Sequence, residues 1–344
     1  MSVTVSDYNE PARAPAALDE AEADDVPAPD LLRLPAIAGA GQRADRFLAS
    51  ALAPLIEGVS RSRVQRWFDL GAVWSDDRVL LASTRLAGFE TLCVQPLPRE
   101  ADEAFAPDPI DLVVVHEDDD VLVIAKPAGL VVHPAAGNWR GTLLNGLLHR
   151  RPALGKLPRA GIVHRLDKDT SGLLAVAASE RALSALARQL AERTMARRYL
   201  ALAWGAIDAA FEIDAPIGRD PRQRTRMAVV EPPGGRLART RVRPLAQGSW
   251  QGRAVSLVEC ALHTGRTHQI RVHMRHIGRP LLGDPVYGPA GGPMARQALH
   301  AWRLGFLHPD GRGPCDWRDP PPADLSAAMQ AVGVASEVLA HEDD

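Results

Sequence analysis

Two segments concentrate residues able to do chemistry. In Gly161-Ile-Val-His-Arg-Leu-Asp-Lys-Asp-Thr-Ser-Gly-Leu-Leu174, six polar or ionisable residues sit between apolar ones: His164, Arg165, Asp167, Lys168, Asp169 and Thr170. Burying so many charges is costly unless they are paired, and polar loops on rigid strands are where function concentrates; a salt-bridged surface turn is the structural alternative. The second segment is Thr264-Gly-Arg-Thr-His-Gln-Ile-Arg-Val-His-Met-Arg-His-Ile-Gly278. Read as a helix from Thr267, it places Ile270, Met274 and Ile277 on one face and stops at Gly278. Its histidines invite a metal, but His268 and His273 diverge by about 140° around a helix. With only His273 and His276 at ligand spacing, hydrogen-bonding roles are expected and no metal site. Asp167 and Asp169, sharing one face if the segment is a strand, could be read as a glycosidase pair; the adjacent basic residues make one of them a charge partner instead. Neither a phosphate-cradling G-x-x-x-x-G-K-[ST] loop nor a G-x-G-x-x-G fingerprint is present, so an ATPase or dehydrogenase is unsupported.

The surrounding pattern predicts an α+β protein with mixed sheets and few helices. Asp45, Phe47, Leu48, Leu52 and Leu55 mark a first helix; Ser60 caps a second over residues 61–68, with Val64, Trp67 and Phe68 inward and Gly71 as its stop. Short strands are expected around Ala72–Trp74 and Thr91–Val94. Leu112–Val115 and Val121–Ala125 flank the acidic turn Glu117–Asp120 as a hairpin. Further elements are a helix over Thr142–His149, a strand over Leu173–Ala177, a helix capped by Ser179, and strands over Tyr199–Trp204 and Val255–Leu262. Cys93, Cys260 and Cys315 are too few and too scattered for a disulfide framework or a thiolate zinc site.

The formal net charge of −2 over 344 residues is an average of unlike parts. Residues 1–30 carry −7, the last 14 carry −4, and residues 31–330 carry +9. All but three of the bases are arginine, which suits phosphate, although a GC-rich genome produces the same bias. Arg43, Arg46, Arg61, Arg63 and Arg66 cluster in the first unit and point to RNA or DNA contact, the alternative being a solvated helix face. Arg219–Arg243 has a net charge of +6 and reads as a hairpin or loop with one basic face, Arg222, Arg224 and Arg226 gripping RNA backbone. No apolar run approaches the roughly 18 residues of a membrane span. The first residues lack a signal-peptide layout, so a cytoplasmic protein is expected.

H-R-L-D-K-D-T-S-G-L-L at 164–174, Arg197-x-Tyr199 and T-G-R-T-H-Q-I-R-V-H at 264–273 resemble the RluA family of pseudouridine synthases. So do K-P-A-G-L-V-V-H-P at 126–134, G-x-P-L-L-G-D-P-x-Y-G at 278–288 and R-Q-A-L-H-A at 296–301. Residues 41–97 look like the S4-type RNA-binding domain that many members carry in front. The whole is most similar to the RluD type, which modifies uridines in a stem-loop of large-subunit ribosomal RNA. The resemblance implies a small S4-type α/β domain, then a catalytic domain on a mixed, largely antiparallel sheet with flanking helices. The expected layout is a disordered acidic tail (1–33), the S4-like domain (34–98), a linker (99–107), the catalytic domain (108–326) and an acidic C-terminal tail (327–344).

By the same resemblance Asp167 is the essential aspartate, Tyr199 packs on the target uracil, Arg271 pairs with the aspartate, and Arg165 enters the RNA stack when the base leaves it. Turning uridine into pseudouridine conserves every atom, so no cofactor is demanded. Flipping a base costs a few kcal/mol and needs a pocket and a filler for the gap, and an aromatic face supplies about 1–3 kcal/mol of stacking. The aspartate must be ionised whether it attacks C1′ or C6 or removes the C2′ proton, and a neighbouring arginine favours that state. The route stays open. The expected partner is large-subunit ribosomal RNA in a pre-ribosomal particle, with the protein a monomer. Two departures stand out: Arg197 replaces the usual lysine, and Ser75-Asp76-Asp77 replaces an Asn-Gly turn. A ribosome-assembly protein without catalysis, or a metal-dependent nuclease using Asp167, Asp169 and Asp284, are the alternatives.

Overall fold

The structure, a computed structural model, describes residues 31–76, 78–97, 102–135, 138–223 and 225–339. The chain divides into two compact units, Met1–Arg99 and Glu100–Asp344. Residues 1–30 and 340–344, which hold most of the acidic-tail expectation, lie outside the described residues, as do Asp77 and Arg224.

In the first unit, β1 (Leu32–Pro35), α1 (Ala44–Leu52), α2 (Arg61–Asp69), β2 (Val73–Ser75), β3 (Arg78–Val79) and β4 (Thr91–Val94) form a four-stranded sheet, order β1-β4-β2-β3, with two helices. Ser60 caps α2 by accepting from the Arg63 amide, and Val64, Trp67 and Phe68 are buried against Phe47, Leu48 and Leu52 of α1. Leu55, expected on the first helix, lies beyond its end and is exposed. The helices are tied by a buried carboxylate. Asp45, 0% exposed, accepts hydrogen bonds from Arg43, Arg61 and Gln65 at 2.7–3.1 Å.

The second unit is built on a nine-stranded sheet. Its elements in chain order are β5 (Val113–Glu117), β6 (Val121–Lys126), α3 (Leu143–Arg150), β7 (Ser171–Ala177), α4 (Glu180–Glu192), β8 (Ala196–Trp204), β9 (Phe211–Asp214), β10 (Ile217–Arg219), β11 (Met227–Val229), β12 (Arg239–Trp250), β13 (Arg253–Leu262), α5 (Gln269–His276), β14 (Leu299–Leu307), β15 (Pro314–Arg318) and α6 (Ala323–Ala331). The order is β5-β6-β7-β14-β8-β13-β12-β9, with β15 on β14 and β10–β11 a separate hairpin. Every pairing is antiparallel except β7 with β14. That parallel contact explains the glycine of T-S-G: a Cβ on Gly172 would lie 2.2 Å from the Ala301 carbonyl oxygen. Among the described residues no helix is long and apolar enough to cross a membrane.

Three boundaries differ from expectation because apolar residues there find a core. β1 begins at Leu32, inside the expected tail. Asp102–Phe105 form a 3-10 turn instead of linker; Ala104 is buried, and Asn145 of α3 donates to the Ala104 and Ala106 carbonyls. Residues 327–334 belong to the folded unit, with Ala328, Met329, Val332 and Val334 packed against Leu202, Trp204 and Leu257.

The Asp45 clamp gives a test. Hydrogen bonds from Arg43 outweigh burial, and with those from Gln65 and Arg61 hold this carboxyl far below its ordinary value of 3.8. Its folded pKa is below its unfolded one, so the stabilisation is complete above about pH 4 and fades as pH falls further. Asp45→Asn is expected to cost about 2 kcal/mol at pH 7 and to flatten the acid limb of stability, read by chemical unfolding of the full chain between pH 3 and 7.

Candidate active site

Asp167 lies in the loop between a 3-10 turn (Pro158–Gly161) and β7, in a turn and not on a strand, so it and Asp169 do not form a strand-face pair. The loop is pinned from three directions. The Lys126 ammonium, 1% exposed at the end of β6, donates to the carbonyls of Pro127, Leu130 and Lys168 at 2.7–3.0 Å. The Gly129 amide also donates to the Lys168 carbonyl, and Arg296 donates to the Asp169 carbonyl. Burial pushes the Lys126 pKa down to about 7; three carbonyls matched to three N–H bonds favour the charged form.

Opposite the loop, α5 delivers Arg271, 4% exposed. Its guanidinium is fully directed: Nε and Nη2 donate to the two carboxylate oxygens of Asp284 at 2.8 and 2.9 Å, and Nη1 donates to Asp167 Oδ2 at 3.0 Å. Asp284 also accepts from the amides of Val286 and Tyr287. Burial raises the Asp284 pKa, but Arg271 and these amides bring it below its usual range. The two carboxylates in turn overcome burial and raise that of Arg271. Fully buried and bridged by Arg271 through both oxygens, Asp284 is an anchor, which answers the nuclease alternative that needed it as a metal ligand. Asp167 keeps Oδ1 open towards His268 Nε2, 4.0 Å away.

His268 opens α5 in the left-handed conformation, φ 56°. The Tyr287 hydroxyl accepts from the Met227 amide and shares a hydrogen bond of 2.9 Å with His268 Nδ1, while His268 Nε2 faces Asp167. The loop before α5 is folded by Gln269, whose side-chain oxygen accepts from Thr264 and the Arg266 amide. His273 spends both ring nitrogens on Thr240 and the Ala215 carbonyl, a hydrogen-bonding role.

Asp167, Arg271, Tyr199 and Arg165 all line one cavity of about 900 Å³. Tyr199 stands on β8, deep in the sheet, paired through β13 at Cys260. Burial pushes its phenol up to about 12, so it is neutral at physiological pH. Arg165 is exposed. Burial, then nearby arginines, push His133 down to about 4 and His164 to about 3, leaving the positive charge of the cavity wall to arginine.

The other expected contacts are not in this cavity. Arg43 and Arg61 are engaged with Asp45, Arg63 stacks on Trp67 and donates to the Leu97 carbonyl, and Arg46 is exposed. The basic stretch 219–243 is a hairpin, a loop and the start of β12; its Arg239 and Arg243 pair with Asp214 and Glu259, so the basic face is smaller than the sequence implied. Arg222 is exposed and Arg226 half-buried. Reading the sequence missed the parts played by Lys126, His268, Asp284 and Tyr287. The signal was there for Asp284 and Tyr287: a buried D-P-x-Y turn needs its carboxylate capped by its own amides.

Residues 120–276 match the family described as RNA pseudouridylate synthase. The chain is 48% identical to ribosomal large subunit pseudouridine synthase D of Neisseria meningitidis serogroup B over 86% of this chain and 82% of that protein. It is 47% identical to the protein of the same name from Nitrosomonas europaea over 85% of each. Among solved structures, human RNA pseudouridylate synthase domain containing 1 matches with a TM-score of 0.50 and 29% identity, over 62% of this chain and 85% of that one. With this similarity running through both the loop that carries Asp167 and the helix that carries Arg271, the chain belongs to the RluA family of pseudouridine synthases.

Proposed function

We propose that this protein converts uridines in large-subunit ribosomal RNA to pseudouridine, with Asp167 as the reacting group. The observation that carries the reading is the Arg271 bridge, which leaves one oxygen of Asp167 open to a cavity roomy enough for a nucleotide. The names of its relatives support the choice of RNA. A uridine flipped from its stem would stack on Tyr199, while Arg165 fills the gap it leaves. Arg271, held by Asp284, pairs with Asp167 and aims it.

The first unit is an S4-type RNA-binding domain in this reading, and its exposed Arg46 together with Arg61, Arg63 and Arg66 contacts the RNA backbone. Arg222, Arg224 and Arg226 add a second contact. The protein acts in the cytoplasm as a monomer on a pre-ribosomal particle. The balance of atoms asks for no cofactor.

Incubation with unmodified large-subunit RNA in EDTA, followed by chemical mapping, is expected to reveal new pseudouridine with the wild type and none with Asp167→Asn. Strand scission, or activity lost to EDTA, would overturn the proposal. Asp284→Asn is expected to slow single-turnover isomerisation by about 10–100-fold with RNA affinity little changed, because Arg271 loses its anchor. Reversing the charge of Arg222, Arg224 and Arg226 together is expected to weaken RNA binding and make its salt dependence shallower.

A further inference from the structure

Arg197, two residues before Tyr199 on β8, is only 8% exposed and lines the same cavity. Among the described residues no carboxylate pairs with it, and its buried Nε–H has no acceptor. The guanidinium is packed against the T-G-R-T glycine: a Cβ on Gly265 would lie 2.7 Å from Arg197 Nη1. A buried, uncompensated cation is among the most destabilising arrangements a fold can hold.

A second unpartnered donor lines the cavity with it. His164 Nε2 accepts from the Ala175 amide, so the ring proton sits on Nδ1, and that atom is buried without an acceptor. Burial and the nearby Arg197 keep this imidazole neutral. Among the described residues, the cavity wall therefore holds a guanidinium with no carboxylate partner and, beside it, a neutral N–H with no acceptor. That arrangement fits a ligand oxygen that gains negative charge.

The isomerisation supplies one. When C1′–N1 breaks, the bonding pair stays on N1 and spreads to the uracil oxygens O2 and O4. Meanwhile either C1′ bonds to an Asp167 oxygen, or Asp167 removes the proton on C2′, leaving a C1′=C2′ double bond, and returns it when C5 bonds to C1′. If Asp167 adds to C6 instead, the charge appears on O4. When C1′ joins C5, N1 takes up one proton, C5 gives one up, and Asp167 is restored. Every route passes through a negatively charged uracil carbonyl.

We propose that Arg197 and His164 receive this charge, Arg197 donating to a uracil carbonyl oxygen as a further catalytic residue. The inference rests on the pseudouridine reading above. Arg197→Met removes the donor while keeping apolar volume; Arg197→Lys keeps the charge. With the full chain and unmodified large-subunit RNA, Arg197→Met is expected to slow single-turnover pseudouridine formation by about 100-fold at saturating enzyme. RNA Kd should stay within about threefold. Arg197→Lys should keep most of the rate. The Met variant should unfold at a temperature no lower than the wild type, because it relieves an unpaired buried charge. A rate within threefold of wild type overturns the proposal, as does a loss entirely in affinity, a lowered unfolding temperature, or a Lys variant as slow as Met. Absence of pseudouridine with the wild type would instead sink the function proposed above.

Discussion

The structure of the catalytic unit turns on one buried guanidinium. Arg271 sits where an isolated charge would cost several kcal/mol, and that cost disappears only if both carboxylates are in place. Asp284 follows α5 closely, in a turn whose own amides complete its hydrogen bonding. Asp167 arrives from a loop 104 residues away in sequence. The ion pair therefore ties distant stretches of chain together, and it does so asymmetrically. Asp284 is fully buried and held by Arg271 through both oxygens; Asp167 makes one contact to Arg271 and leaves Oδ1 open. Two residues of one type acquire different roles from environment alone.

Holding Asp167 in that position requires the loop to be rigid without being part of a sheet. The Lys126 ammonium supplies this by gathering three carbonyls, one of them beside Asp167, and Arg296 holds the next carbonyl along. The parallel contact of β7 with β14 brings the two together, and it is possible only because position 172 lacks a side chain. Tyr199 and Arg197, by contrast, are fixed by the sheet itself: both point from β8 into the cavity lined by the Asp167 loop and the start of α5. Side chains on such elements are held more precisely than side chains on loops.

Much of this was legible in advance where local chemistry decides it. The Ser60 cap, the apolar face of α2, the β5–β6 hairpin around its acidic turn and the strand positions of β4, β7 and β8 follow from periodicity and capping. Boundaries failed where tertiary packing intervened: residues 327–334 looked like the start of an acidic tail, but their few apolar side chains complete a core under Trp204. The arginine clusters misled for a related reason. Net charge counts residues, whereas Arg43, Arg61, Arg239 and Arg243 are already bonded to carboxylates the sequence cannot pair with them.

The sequence by itself determined the family and the α+β class, because long motifs carry their residue types and order wherever they fold. It could not say that Arg271 faces two carboxylates, that Lys126 clamps the Asp167 loop, or that Arg197 Nε and His164 Nδ1 find no acceptor among the described residues. Those facts depend on through-space distances between residues far apart along the chain, and on what burial withholds from each. Only the folded sheet, by excluding water from the cavity wall, leaves the Arg197 guanidinium buried with its Nε unpartnered among the described residues.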